Sequence, residues 1–232
     1  WSSDVCSSDL VVVPALLSDE NRVTEILQSL ENHYLANKEQ NLYFAIIGGF
    51  KDSTCESQIE ENPILIKAYE GIRLLNLRYA DENGDLFYFF HRKNIFNDKE
   101  QNWTGWERKR GALMEFNDLI LGALDTSFIE VLSSHFAHSR NIKYIITLDA
   151  DTQLPLGMAK RMIGTMAHPH NLPVIDPIKN IVVEGHGLMQ PRIAFDMESS
   201  NKSIFSRIYT GQVGMDQIGR ASCRVRVYIS VV

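Results

Sequence analysis

The chain has 232 residues, 44% of them apolar and 22% charged, with a formal net charge of −6 and three cysteines. Those proportions fit one or at most two soluble globular domains and exclude a disordered tract, a collagen-like repeat and a disulfide scaffold. No window holds the roughly 18 consecutive apolar residues of a membrane span, and the modest acidic excess argues against a nucleic-acid partner.

In chain order, the first ten residues, WSSDVCSSDL, resemble a sequencing-library adapter read as protein, and Ile218 to Ala221 read as the reverse complement of the same adapter. The expectation is therefore an artefactual, disordered segment 1–10, a biological segment 11–217 and a second artefact 218–232. A Ser-rich leader with a β-rich tail is the alternative. Without Cys6 and Cys223 only Cys55 remains, which is compatible with a reducing compartment.

Val11-Val12-Val13-Pro14 is a β-branched run stopped by proline, the pattern of a buried strand entering a loop. Ser18 is placed to cap a helix in which Val23, Ile26, Leu27, Leu30 and Tyr34 recur at helical spacing, with Asp19 and Glu20 near its positive end. A second strand from Leu42 to Ile47 runs into Gly48-Gly49, completing a β-α-β unit. A helix is predicted over Pro63 to Tyr79, a turn at Asn83-Gly84-Asp85 and an aromatic strand over Leu86 to His91. Lys93 to Arg110 reads as a polar loop, Ala112 to Leu121 as a helix, and Lys143 to Leu148 as a third core strand. A helix at Met158 to Met166, strands at Ile181 to Val183 and Gly187 to Ile193, and a helix at Ser203 to Tyr209 follow. This alternation, without repeat or linker, predicts a single α/β domain with a mostly parallel sheet and a ligand site at the carboxyl ends of its strands.

The strand ending at Leu148 leads into Asp149-Ala150-Asp151. Two hard carboxylates at a strand end, with coordination sites left open, suit Mg²⁺ or Mn²⁺ neutralising a departing diphosphate, the chemistry of a nucleotide-sugar donor. A pair of loop-capping aspartates is the plainer reading. A haloacid-dehalogenase-type phosphatase also begins with strand and Asp-x-Asp-x-Thr, but here Gln153 holds the fifth position and Thr152 stands one place early. Arg108, Lys109 and Arg110 precede Gly111 and a helix whose N-terminus attracts anions, and Trp103 and Trp106 offer faces for a sugar or base. A solvated basic turn over packed tryptophans is the alternative. Asp52 follows the second strand, and Gln190-Pro191-Arg192 ends a late one. His168-Pro169-His170 lacks a third ligand and reads as a proline turn.

Together, VVVPALL (11–17), HYLAN (33–37), FYFFHR (87–92), GWERKRGALMEFN (105–117), YIITLDADTQLP (144–155), MAHPHNLP (166–173) and GLMQPR (187–192) resemble the glycosyltransferase domain of the cyclic β-1,2-glucan synthase family. The resemblance implies a GT-A-like (Rossmann-like) nucleotide-sugar-binding domain, truncated on its C-terminal side. It implies a hexosyltransferase fragment that transfers glucose, with inversion, from UDP-glucose to the 2-hydroxyl of a β-1,2-glucan acceptor. Asp149 and Asp151 are its implied ligands for Mg²⁺ or Mn²⁺. Pro14, Asp52, Lys109 and Arg110 join them on the donor side, while Trp106, Glu107, Gln190 and Arg192 line the sugar or acceptor channel. Gly49 precedes Phe50 where family members tend to carry an aspartate, and Asp52 is its nearest substitute. The general base is expected downstream of this chain, so no catalytic residue is named and the fragment alone is expected to be inactive. The resemblance further implies attachment to a larger membrane-bound polypeptide at the cytoplasmic face of the bacterial inner membrane. A catalytically silent nucleotide-sugar or glucan-binding module is the functional alternative.

Overall fold

The computed structural model describes residues 8–55, 62–80, 84–129, 141–179 and 181–191, and the backbone of 227–231. Its centre is β1 (Ser8–Leu16), in which Leu10 to Val13 are almost wholly inaccessible. A strand buried on both faces belongs in the middle of a parallel sheet. β1 pairs in parallel with β2 (Leu42–Gly49) on one side and with β6 (Ile142–Leu148) on the other. β3 (Phe87–Arg92) extends the sheet beyond β2, also in parallel. β10 (Val227–Val231) runs antiparallel to β6 and carries β9 (Leu188–Met189), giving the order β3-β2-β1-β6-β10-β9. The fold is thus α/β with a mostly parallel sheet, as the alternation predicted. Pro14 is tolerated in the central strand because the β1–β6 pairing ends before it, at Val12 opposite Thr147.

Helices cover both faces. α1 (Glu20–Ala36) and α2 (Pro63–Tyr79) pack together on one side, where Tyr34 meets Phe44 and Phe87 edge-on and Tyr69 meets Phe89. α3 (Arg108–Ile120) lies on the other, with Phe116 edge-on to Phe90 at 4.8 Å between centroids. α4 (Met158–Met166) follows β6 and buries Ala159, Met162 and Met166. Two hairpins, β4 (Ile95–Asn97) with β5 (Asn102–Thr104) and β7 (Val174–Asp176) with β8 (Ile181–Glu184), stand outside the main sheet.

Several local expectations are corrected. Asp19, not Ser18, caps α1: its carboxylate accepts the Arg22 N–H at 2.9 Å, and the Ser18 hydroxyl donates to that carboxylate. Gly48 and Gly49 continue β2, paired with His91 and Arg92, instead of ending it. The expected polar loop from Lys93 to Arg110 contains the β4–β5 hairpin, closed by Phe96 on Trp103, and the first turn of α3. Of the expected strand Gly187 to Ile193, Leu188–Met189 pairs among the described residues up to 191, and residues 192–193 and the expected helix at Ser203 to Tyr209 lie outside the described residues. Strand structure also reaches into the two terminal segments. Ser8 and Asp9 donate backbone N–H groups to Asn141 and Asn41 at 2.9 Å, so residues 8–10 are ordered in β1, and 227–231 form β10.

Candidate functional site

The chain winds from β1 through α1 to β2 on one side of the central strand, then returns through α3 to β6 on its other side. The reversal opens a crevice beyond the carboxyl ends of the strands. A cavity of about 570 Å³ sits there, within the range of roughly 300–1,000 Å³ typical of small-molecule sites. Pro14 and Leu16 of β1, Gly49 of β2, Phe50 just beyond it, Arg92 of β3 and Arg108 and Lys109 of α3 all reach it. Four cationic side chains, Lys51, Arg92, Arg108 and Lys109, face it against one carboxylate, Asp52. Arg92, Arg108 and Lys109 are each ion-paired, with Glu115, Asp52 and Asp149, so an anionic occupant would share these cations with carboxylates around the cavity.

Arg92 builds this wall. It is 3% exposed, and its Nε donates to Glu115 at 2.7 Å and to the Ser127 hydroxyl at 3.2 Å. Its Nη1 donates to the carbonyls of Trp106 at 2.9 Å and Arg108 at 3.2 Å, while Nη2 has no partner among the described residues. The two carbonyls belong to a turn in which Glu107 and Arg108 both hold φ 47°, a left-handed conformation costly for side chains other than glycine. Arg92 therefore ties the end of β3 to the strained entry of α3. Glu107 gives α3 no side-chain cap. The first amide of the helix, that of Arg108, donates to the Gly105 carbonyl at 2.9 Å.

Lys109 leaves that first turn and meets the Asp149 carboxylate directly. Burial pushes its ammonium below the usual lysine range, opposed by the pull of Asp151. Asp149 follows β6 immediately and is a quarter exposed, and its carbonyl accepts the Thr152 N–H at 2.9 Å, closing a turn on which Asp151 stands exposed. Asp52 accepts from the Thr104 hydroxyl at 2.7 Å and from Arg108 at 3.0 Å; these hydrogen bonds hold its carboxyl below the usual range.

The structure thus places Pro14, Asp52 and Lys109 on the cavity lining, while Asp149 and Asp151 lie outside it and reach it through Lys109, which pairs with Asp149 and feels the charge of Asp151. Arg110 turns away to Glu107 at 3.3 Å and is three-quarters exposed. Trp106 is half exposed, its backbone held by Arg92 and its ring close to Gly111. Gln190 is exposed beyond β9 and outside the cavity lining, and Arg192 lies outside the described residues. Sequence reading passed over Arg92 as a site residue; its signal was a cation ending the otherwise apolar FYFFHR run. Among the described residues no three His, Cys, Asp or Glu gather to hold a metal. Two carboxylates with a cation already drawn to them fit a hard divalent ion that takes its remaining ligands from water and substrate phosphate.

No protein-family model matches the chain. It is 38% identical over 208 residues to cyclic beta-(1,2)-glucan synthase NdvB of Rhizobium meliloti (strain 1021), a match that takes in 89% of this chain. The two are homologous over that stretch, and the chain spans about 7% of the length of this curated relative. A solved nucleotide-diphospho-sugar transferase from Desulfovibrio desulfuricans G20 is similar over 70% of this chain and 55% of its own, with 8% identity and a TM-score of 0.32.

Proposed function

We propose that this chain is the donor-binding part of a glycosyltransferase of GT-A type, taking UDP-glucose for inverting transfer to a β-1,2-glucan. Homology to a glucan synthase supports the reaction class, and the cationic crevice at the strand ends is the observation that carries the site. In this reading the nucleoside rests against Pro14, Leu16 and Phe50, and the diphosphate faces Arg108 and Lys109. Asp52 orients Arg108 and does not itself read the base, because its carboxylate is already engaged by Thr104 and Arg108. Asp149 and Asp151 are the residues to hold Mg²⁺ or Mn²⁺. A bound ion of this kind supplies Lewis-acid neutralisation of the leaving diphosphate.

As the acceptor 2-hydroxyl attacks the anomeric carbon, its proton passes to a general base outside the described residues, the bond from that carbon to the phosphate oxygen breaks and negative charge gathers on UDP. Lys109 exchanges Asp149 for this charge, and the α3 entry turn keeps its ammonium in place. Preorganised cations of this sort stabilise the developing charge at little reorganisation cost. We place the segment in a larger membrane-bound polypeptide at the cytoplasmic face, a setting compatible with a match to a small part of its relative. No described helix is long and apolar enough to cross a membrane.

Calorimetric titration of UDP with and without Mn²⁺ tests the reading. Binding is expected to require the ion and to weaken at least about tenfold in Asp149→Asn. Equal UDP affinity with and without the ion would overturn metal-dependent donor binding.

A further inference from the structure

The turn that carries Asp149 and Asp151 is gripped from behind by the end of α1. His33 and Asn37, each 2% exposed, come from the HYLAN stretch, and neither lines the cavity. His33 Nε2 lies 3.1 Å from the Thr152 carbonyl. A carbonyl only accepts, so Nε2 carries the hydrogen and donates it. Asn37 Nδ2 donates to the Leu154 carbonyl at 3.4 Å and to the His33 carbonyl at 3.2 Å, and its Oδ1 accepts the Ala159 N–H at 3.0 Å. The Ala36 carbonyl accepts the Gly157 N–H at 3.0 Å.

One helix end thereby holds the backbone at Thr152, Leu154, Gly157 and Ala159. Termination of α1 does not require this, because the Asn37 backbone N–H already closes the helix on Tyr34. The Asn37 side chain serves mainly the acidic segment. β6 fixes Asp149 from one end, His33 fixes Thr152 three residues later, and Asn37 supplies the acceptor for an α4 amide that Gly157 leaves uncapped.

We propose that His33 and Asn37 are positioning residues for the aspartate pair, presetting the 149–159 segment so that a divalent ion and a diphosphate bind without first ordering it. The inference rests on the reading of Asp149 and Asp151 given above. Groups that orient ligand-bearing backbone lose affinity when removed even though they never touch the ligand, by about 10–100-fold where such supporting partners have been altered.

Binding of Mn²⁺ with UDP to the full chain tests it, alongside UDP alone. His33→Leu and Asn37→Leu, which keep bulk but remove the hydrogen bonds, are expected to weaken Mn²⁺-dependent UDP binding by about 10–100-fold. His33→Gln retains an N–H donor and is expected to recover most of that loss. Unchanged affinity in both leucine variants, or equal losses in His33→Leu and His33→Gln, would overturn the clamp. Unchanged affinity in Asp149→Asn sinks the site reading and the clamp's purpose with it, whereas unchanged affinity in the leucine variants alone sinks only the clamp. Amide exchange in the unaltered protein decides the matter if a variant does not fold. The Ala159 amide is expected to be protected before Mn²⁺ and UDP are added; protection that appears only on their addition refutes presetting.

Discussion

His91 sits 1% exposed between Phe50 and Phe89, and burial pushes its imidazole down to about 4 despite the Gly48 backbone, which favours the charged form. His33 is lowered for the same reason. The His91 ring is therefore neutral in the fold where the unfolded chain would be protonated. The unfolded state takes up more protons between about 6.5 and 4, so this contribution is present above 6.5 and is lost as pH falls through 4. Asp9 opposes it: burial raises its carboxyl to about 6, giving stability that is present below 3.8 and is lost as pH rises through 6. His91→Phe leaves Asp9 and His33 untouched and isolates one ring. The variant is expected to remove acid destabilisation on the order of 3 kcal/mol across this window, read as a flatter unfolding midpoint against pH. Parallel profiles for the two proteins would contradict the assignment. The burial of these histidines was not legible in the sequence, because a His near aromatics is equally compatible with a surface position until neighbouring elements bury it.

α2 begins and ends where its sequence predicts because its signals are local: Pro63 opens the first turn, and the Asn62 side chain accepts the Ile64 N–H at 3.0 Å. The β4–β5 hairpin was missed for the opposite reason. Two three-residue strands carry too short an alternation to register, and the Phe96–Trp103 contact that closes them joins residues apart in sequence. The entry of α3 depends on Gly111, where a Cβ would fall 2.0 Å from the Trp106 carbonyl oxygen, an atom of the turn that Arg92 grips. Gly111→Ala must push that turn outward or break the Arg92 hydrogen bonds. It is expected to destabilise by about 1–3 kcal/mol in denaturant unfolding and to weaken UDP binding, because Lys109 follows the turn directly. An alanine variant of native stability and affinity would show that the turn yields without cost.

Across the molecule, the buried apolar residues among those described run from Leu10 to Met166, all of them before the last strand in sequence. β10 runs antiparallel to β6 and carries β9 on its other side, outside the parallel part of the sheet. A chain ending at Gln217 is accordingly expected to keep one cooperative thermal transition, and a broad, non-cooperative melt would make β10 part of the core. The apolar runs of β1, β2, β3 and β6, the helical spacing of α1 and α2 and the Asp149–Asp151 pair could all be read from the chain, since each is a pattern within a few consecutive residues. So could the α/β class, which follows from their alternation. Which cations share a crevice could not be read. Arg110 and Lys109 are neighbours in the same basic run, yet the left-handed turn at Glu107 and Arg108 sends one to Glu107 and the other to Asp149. Arg92, His33 and Asn37 acquire their places only through hydrogen bonds to backbone distant in sequence. Sequence by itself determined the strands of the parallel sheet and the aspartates that follow β6 through local pattern; tertiary structure alone decided which side chains share the crevice, because long-range packing sets which side chains lose water together.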